Sequence, residues 1–234
     1  MPVLKVGHKG ADAVVGGNTP ASFDAALDLG VDMIEFDVLE VDGCLVLAHD
    51  FHDAHKREPI TLEAGLDHLA TPGFGGLDLD VDLKLPGYEE RVLAALRERE
   101  LLPRCLISTQ FVASLADLRL VEPSVRLGWS VPKASRDYTQ SRAYAVPVLA
   151  ALHAYRAAFP RRAARALRER RVDAIMAHWR LVSPALVRAV RGAGGELYVW
   201  TVDELERIAQ LEALGVTGVI TNDPRLFAQL RAAA

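Results

Sequence analysis

Short apolar strands alternate with helical segments along almost the whole chain, and this alternation constrains the fold more than any other feature. Leaving aside one hairpin strand, eight strands are predicted near residues 3–8, 32–38, 77–83, 105–108, 125–129, 172–176, 197–200 and 218–220. Most are followed by apolar residues at helical spacing, which favours a parallel sheet with right-handed crossovers, and eight units favour a closed barrel. We therefore predict an α/β fold, a TIM (β/α)8 barrel formed as a single domain by residues 1–234, a typical length for such barrels.

An additional strand is predicted directly after the second barrel strand. Asp42-Gly43 is a two-residue turn signal that leaves no room for a crossover helix. Residues 44–49 must therefore return as the antiparallel strand of a hairpin. The polar stretch 51–60 is expected to be irregular, and a long helical segment is expected to break at Pro160.

Charge and composition argue against several classes of protein. The formal net charge of −4 gives no electrostatic reason to expect nucleic acid or an anionic membrane as a partner. No apolar run approaches the ~20 residues of a membrane span, and the N-terminus lacks the apolar core of a signal peptide. Cys44 and Cys105 lie among apolar strand residues, which indicates reduced thiols in the core. These features predict a cytoplasmic enzyme that acts on a small molecule.

Polar side chains recur at the predicted carboxyl ends of the strands, where barrel enzymes carry their active sites. The hairpin strand returns one more polar residue to the same level. In chain order these residues are His8, Lys9, Glu35, Asp37, His49, Asp82, Lys84 and Trp200. Because separate parts of the chain agree on one face of the barrel, we predict a functional site there.

Three of these side chains predict a metal site. Glu35 and Asp37 share one face of their strand, and Asp82 ends the next barrel strand. Buried carboxylates this close repel one another unless a cation neutralises them. One divalent cation that prefers oxygen ligands, Mg²⁺ or Ca²⁺, would do so. Two alternatives remain open: Lys84 and Lys9 could neutralise the acids in ion pairs, or the Glu-x-Asp pair could lie on a solvated face.

Other polar features have simpler interpretations. The His and Asp residues of 49–55 match no standard zinc spacing. The arginines between 156 and 171 alternate with alanines at helical spacing, which is typical of a solvated helix face. Trp200 could belong to the core or could equally form a wall of a substrate pocket.

The predicted group of residues suits phosphoryl chemistry. A divalent cation and two lysines can neutralise a phosphate. His8 and His49 can act as general base and general acid on opposite sides of phosphorus.

The sequence also resembles the glycerophosphodiester phosphodiesterase family over nearly its full length. Several motifs carry the resemblance, in the same order and at plausible spacing. They are His8-Lys9-Gly10, Gly17-Asn18-Thr19-Pro20-Ala21-Ser22-Phe23, Glu35-Phe36-Asp37-Val38, Ala48-His49-Asp50, Asp82-Leu83-Lys84, Trp200-Thr201-Val202-Asp203 and Ile220-Thr221-Asn222-Asp223-Pro224.

The resemblance implies a TIM barrel that hydrolyses glycerophosphodiesters to glycerol 3-phosphate and an alcohol. It also implies a role for each matching residue. By this resemblance, Glu35, Asp37 and Asp82 would bind the metal. His8 and His49 would be the acid–base pair, and Lys9 and Lys84 would contact the phosphate. The sequence leaves open which histidine is the base, and whether water attacks directly or a substrate hydroxyl first forms a cyclic phosphate.

The chain departs from the family pattern at four points. Lys9 replaces arginine, which keeps the charge and loses the bidentate fork. Gly17 replaces a glutamate and removes a carboxylate near the site, and Asp82 is one methylene shorter than the usual glutamate. The connection from His49 to Asp78 is shorter than usual, which predicts a more open pocket. Our hypothesis is that the enzyme accepts bulkier diesters, lysophospholipids among them.

Two rival functions fit parts of the pattern. One is a catalytically weakened barrel that binds phosphodiesters, with its site impaired at Gly17 and Asp82. The other is a different metal-dependent barrel enzyme, such as a lyase acting on a carboxylated substrate. The retained His8 and His49 favour the hydrolase, because a pair of histidines suits phosphorus better than an enolate.

Overall fold

The computed structural model describes residues 2–132 and 145–232. Within them, the strands form one sheet in the order β1-β9-β8-β7-β6-β5-β4-β2-β3. The strands are β1 Leu4–His8, β2 Met33–Val41, β3 Cys44–Val46, β4 Asp78–Leu83, β5 Cys105–Thr109, β6 Arg126–Val131, β7 Ala174–His178, β8 Glu196–Trp200 and β9 Gly218–Thr221.

Eight of these strands close into a parallel barrel, because β1 pairs with both β9 and β2. The remaining strand, β3, pairs antiparallel with β2 and lies outside the barrel. Asp42 and Gly43 connect these two strands, and both have the positive φ that a tight two-residue hairpin turn requires. The predicted TIM barrel with an extra hairpin strand after its second strand is confirmed.

Helices surround the barrel and follow the strands along the chain. They are α1 Pro20–Asp28, α2 Phe51–Lys56, α3 Leu62–Leu69, α4 Glu89–Glu98, α5 Val112–Val121, α6 Ala145–Arg168, α7 Pro184–Gly192, α8 Leu205–Leu214 and α9 Arg225–Ala232. Side chains of Thr19, Thr61 and Ser183 cap the N-termini of α1, α3 and α7 by accepting a backbone N–H. No helix in the described ranges combines the length and apolarity that crossing a membrane requires.

The two faces of β4 show how alternation builds the barrel. Leu79 and Val81 are fully buried in the outer core, together with Val92 and Leu96 of α4. The carboxylate of Asp80, on the other face, is buried inside the barrel. The apolar residues of this strand thus face the helices, while Asp80 faces the barrel interior, as alternation along a barrel strand requires.

Three local predictions are wrong. The stretch expected to be irregular contains helix α2, whose first turn is stabilised by Asp50 accepting from the backbone N–H of Asp53. The long helix α6 continues through Pro160, since packing of Phe159 on the barrel core holds the helix across the missing N–H. Cys44 is exposed rather than buried, because it begins the strand outside the barrel.

Candidate active site

The turn after β1 brings a histidine and a lysine to the carboxyl end of the barrel. Backbone N–H groups of Lys9 and Gly10 donate to the side chain and the carbonyl oxygen of Glu35, at 2.9 and 3.2 Å. Ser22 donates its hydroxyl to the Lys9 carbonyl oxygen at 2.8 Å. Gly10 has φ 86°, and an added Cβ there would lie 2.5 Å from the Ser22 carbonyl oxygen. Only glycine allows the turn to fold so closely against α1, and this contact fixes His8 at the barrel mouth.

Three carboxylates converge beside this turn. Alternation along β2 turns Glu35 and Asp37 to the same side, and the parallel register places Asp82 of β4 opposite Asp37. One oxygen atom from each of the three lies within 4.8 Å of the others. Ligands held about 2.0–2.6 Å from one ion can be separated by that distance. The donor set consists of hard oxygens only, so the cluster could hold a metal ion.

Lys84 lies among these carboxylates. Its Nζ forms ion pairs with Asp37 Oδ1 and, at 2.5 Å, with Asp82 Oδ2. The predicted ion-pair alternative is therefore present for Lys84, whereas the Lys9 ammonium pairs with Asp12 instead, at 3.0 Å. One ammonium cannot balance three ionised carboxylates, so the charges left over would suit one divalent cation.

The electrostatics of the cluster reflect this shortage of positive charge. Burial, reinforced by the charge of Asp37, raises the pKa of Glu35 well above its usual value. Burial would also raise the pKa of Asp37, but Lys84, followed by His49 and His8, lowers it below its usual range. Burial opposes the charge of Lys84, yet the surrounding carboxylates raise its pKa.

Asn18 supports the cluster, and sequence reasoning assigned it no role. Its side-chain Nδ2 donates to Asp37 Oδ2 at 2.9 Å, and its Oδ1 accepts from the backbone N–H of Asp37 at 3.1 Å. Asn18 is fully buried and has φ 57°, a left-handed conformation that asparagine adopts more readily than most residues. The position directly before the N-cap Thr19 was the available signal.

His8 is oriented by Asn222 and Asp203, which lie in motifs of the family resemblance but had no predicted role. Its Nδ1 lies 2.5 Å from Asn222 Oδ1. Asn222 Nδ2 donates to Asp203 Oδ2 at 2.6 Å, and an ionised carboxylate only accepts, so the amide oxygen must face His8. That oxygen also only accepts, and the proton of a neutral His8 therefore sits on Nδ1. The other nitrogen, Nε2, faces Glu35 Oε2 at 3.8 Å. Burial lowers the pKa of His8, although Asp37 and Asn222 oppose the shift.

His49 occupies a different environment. Its side chain is 52% exposed, and its Nδ1 lies 3.2 Å from Asp50 Oδ2. Its backbone N–H donates to Asp53, which also receives two hydrogen bonds from Arg57. These acids thus cap α2 and hold the end of the hairpin. Among the described residues, Glu35, Asp37 and Asp82 form the one cluster suited to a metal, and it includes none of the residues 49–55.

Trp200 lies at the end of β8, partly buried. Its indole Nε1–H donates to the Met176 carbonyl oxygen at 2.9 Å, and its ring meets His178 edge to face at 5.1 Å. It packs against the inner core cluster that contains Val6 and Tyr198. The structure therefore gives Trp200 a core contact while leaving it at the barrel mouth.

A closed parallel barrel with this polar mouth defines the chain as a TIM-barrel enzyme of the type that acts at the carboxyl ends of its strands. The family model that matches it covers residues 8–54 and 89–226. The chain belongs to the glycerophosphoryl diester phosphodiesterase family. This confirms the resemblance and the predicted enzyme class, a phosphoric diester hydrolase.

Individual relatives agree with this assignment. The chain is 27% identical to a glycerophosphodiester phosphodiesterase of Caldanaerobacter subterraneus subsp. tengcongensis, over 98% of both chains. Its fold is similar to that of a glycerophosphodiester phosphodiesterase from Parabacteroides distasonis, with TM-score 0.74, 17% identity, and coverage of 99% and 98% of the two chains. It is also similar to an Oleispira antarctica phosphodiesterase in complex with the product sn-glycerol-3-phosphate, with TM-score 0.71, 19% identity, and coverage of 100% and 96%.

The family match leaves out residues 55–88, and these contain Asp82 and Lys84. Their place in the site therefore rests on the barrel itself, through the register that sets Asp82 opposite Asp37.

Proposed function

We propose that this enzyme hydrolyses glycerophosphodiesters to glycerol 3-phosphate and an alcohol, with His8 and His49 as its acid–base pair. The observation that carries the proposal is geometric. His8 Nε2 lies 3.8 Å from Oε2 of Glu35, and Glu35 belongs to the three-carboxylate cluster at the barrel mouth. The exposed His49, which follows the hairpin strand, would act from the solvent side of the same site. Imidazoles beside an oxygen-ligand cation site and lysines are the groups that phosphodiester hydrolysis requires.

Glu35, Asp37 and Asp82 would hold one divalent cation, Mg²⁺ or Ca²⁺. When bound, such an ion neutralises charge on the phosphoryl oxygens. Lys84 and Lys9 add positive charge on the protein side and would contact the phosphate through the N–H donors that their carboxylate partners do not use.

His8 is suited to act as the general base. The hydrogen bond to Asn222 keeps the proton on Nδ1 and leaves the lone pair of Nε2 directed toward the cluster. Nε2 takes the proton of the attacking hydroxyl as the new oxygen–phosphorus bond forms. The same step serves water or a hydroxyl of the substrate as nucleophile.

His49 is then the general acid. Asp50 orients its ring through Nδ1, so Nε2 is the atom that delivers a proton. The bond between phosphorus and the alcohol oxygen breaks as that oxygen receives the proton, and the exposed position of His49 lets the alcohol leave into solvent.

Four finer points belong to the same proposal. Lysophospholipids are accepted because the connection between the hairpin and β4 is short, and Trp200 forms one wall of the pocket. Residues 1–234 act as one domain, since the barrel strands span the chain from Leu4 to Thr221. A cytoplasmic location stays a prediction.

The direct test is release of glycerol 3-phosphate from glycerophosphocholine and from lysophosphatidylcholine. We expect EDTA to abolish release and added Mg²⁺ or Ca²⁺ to restore it. His8→Ala and His49→Ala should each lower kcat by about 10²–10⁴-fold. His68→Ala is the matched control, because His68 pairs with Asp24 on the outer helices.

The rival interpretation, a weakened phosphodiester-binding barrel, has its own signature. It predicts folded protein that binds glycerophosphocholine with either metal yet releases no glycerol 3-phosphate. That outcome would overturn the hydrolase proposal for this chain.

A further inference from the structure

Asp12 lies in the loop after β1, and its carboxylate connects two positions that the sequence alone does not relate. Oδ2 accepts from Lys9 Nζ at 3.0 Å, and Oδ1 accepts from the backbone N–H of Gly17 at 2.8 Å. The side chain of Asp12 is 31% exposed and that of Lys9 is 20% exposed. The pair is therefore partly shielded at the rim of the site.

The carboxylate of Asp12 occupies the space that a side chain at position 17 would need. A Cβ built on Gly17 would lie 2.6 Å from Asp12 Oδ1 and 2.6 Å from the Cβ of Lys9. Gly17 does not have a positive φ, so its backbone would allow any residue. Glycine is required at this position because of space, and the Asp12 carboxylate and the Lys9 Cβ together fill that space.

The backbone of Lys9 is already fixed by other contacts. Its N–H donates to Glu35 Oε2 at 2.9 Å, and its carbonyl oxygen accepts from Ser22. Its φ of 51° is left-handed, which a lysine adopts only when the surrounding structure enforces it. Only the flexible end of the side chain remains to be placed, and Asp12 is the group that places it.

We propose that Asp12 is a positioning residue for the Lys9 ammonium, and that the missing side chain at Gly17 is the condition for it. Asp12 thereby supplies a carboxylate in place of the one that is missing at Gly17. One N–H of Lys9 is used by Asp12, and two remain for phosphate oxygens. The inference rests on the proposed function, in which Lys9 contacts the phosphate of the diester.

Asp12→Asn tests the inference, because it keeps the shape of the side chain and removes the charge. We expect KM for glycerophosphocholine and the Kd of sn-glycerol 3-phosphate, measured by calorimetry, to rise about five- to tenfold. The expected change in kcat is less than about twofold, since a contact equally strong in ground and transition states affects KM alone. Glu169→Gln is the control, because it makes the same kind of change in an exposed ion pair with Arg165 of α6, outside the site.

A charge relocation provides the second test. In Asp12→Ala, the Lys9 ammonium loses its carboxylate partner. Adding Gly17→Glu to this variant places a carboxylate near Lys9 again, this time from position 17. We expect Asp12→Ala/Gly17→Glu to bind sn-glycerol 3-phosphate more tightly than Asp12→Ala/Gly17→Ala, a comparison that cancels the crowding of Lys9 Cβ. A purely structural role for Asp12 predicts no such difference.

The outcomes separate this inference from the proposed function. Wild-type protein that releases and binds glycerol 3-phosphate, combined with unchanged KM and Kd in Asp12→Asn, overturns the inference and leaves the function in place. Wild-type protein that binds without turnover still tests the inference through Kd. Wild-type protein that neither binds nor releases glycerol 3-phosphate overturns both.

Discussion

The carboxylates at the two ends of the barrel differ in their exposure and in how completely they are paired with cations. At the amino-terminal end, Arg126 donates to Asp78 at 2.9 Å and to Glu196 at 2.8 Å. These acids are 41% and 38% exposed, so water shares in their solvation. The guanidinium of Arg126, with its rigid set of donors, is sufficient to pair with both acids. The protein's own ion pairs therefore close this end of the barrel.

At the carboxyl-terminal end, the acids are more deeply buried and less well paired. Glu35 and Asp37 are almost completely buried, and the Lys84 ammonium is shared between Asp37 and Asp82. Burial of an acid in excess over cations is unfavourable unless a ligand supplies the missing charge. The difference indicates where the functional site lies. At the carboxyl-terminal end, negative charge exceeds the positive charge of Lys84, whereas at the amino-terminal end Arg126 neutralises the acids and stabilises the fold.

The largest effect should come from removing charge at the mouth. We expect Asp37→Asn to lower kcat by about 10³-fold, equivalent to about 4 kcal/mol, because the proposed cation site would lose its most buried carboxylate. Folding should be retained, since the amide can still accept from Asn18. Steady-state kinetics with a circular-dichroism melt would check both points. Near-normal kcat in a folded variant would contradict a functional role for the charge imbalance.

The next effect concerns Asp80, which is buried on the strand between the two ends. Burial, and then the charge of Asp82, raises the pKa of Asp80 to about 8. Below pH ~4 the group is protonated in both folded and unfolded chains. Between about pH 4 and 8 the unfolded chain releases the proton and the folded chain keeps it, so the folded state loses stability as pH rises.

In Asp80→Asn, the side chain is neutral at every pH, so the variant does not lose this stability as pH rises. In EDTA, we expect the free energy of unfolding at pH 7 to rise by about 2–4 kcal/mol, and at pH 4 to change little. Urea unfolding at the two pH values is the measurement, with the exposed Asp117→Asn as control. Equal stability gains at both pH values would show that the proton on Asp80 is not responsible.

The order of the strands and most of the site were predictable from the sequence, for identifiable reasons. A period of two along a strand assigns Glu35 and Asp37 to one side, and the turn chemistry of Asp42-Gly43 requires a hairpin. The family match and the closed barrel confirm the class of enzyme and the fold. The roles of individual site residues stay predictions.

Contacts between loops were not predictable, because loops have no periodicity. Nothing in the spacing of Asn222 and Asp203 indicates that they orient His8. Asp12 and Gly17 are likewise connected by space alone. The same absence of a periodic signal explains why the short helix α2 was expected to be irregular.

A smaller effect, on stability alone, is expected at the amino-terminal end. Arg126→Met should lower the free energy of unfolding by about 2 kcal/mol, because Asp78 and Glu196 lose their partner while water still solvates them in part. The ratio kcat/KM should stay within about twofold of wild type. Arg165→Met, in an exposed pair with Glu169, is the control and should leave the free energy of unfolding almost unchanged. A loss of activity without loss of stability in Arg126→Met would break the comparison between the two ends.

The smallest effect tests how the barrel mouth orients His8, the proposed base. Asp203 accepts from Thr221 Oγ1 and from both the backbone N–H and Nδ2 of Asn222, at 2.6–2.9 Å. In Asp203→Asn, the new amide can donate to Asn222, whose own amide can then turn its NH2 toward His8. The proton of His8 would move to Nε2, and the imidazole would no longer be able to accept a proton from the nucleophile.

We expect Asp203→Asn to lower kcat about tenfold, equivalent to about 1.4 kcal/mol, with little change in melting temperature. The ¹⁵N shifts of the His8 ring would report the change of tautomer directly. Asp223→Asn is the matched control, because Asp223 is a neighbouring acid that pairs with the exposed Arg225. A tenfold loss of kcat with an unchanged His8 tautomer would show that Asp203 acts on the loop as a whole and that the tautomer of His8 does not depend on Asp203.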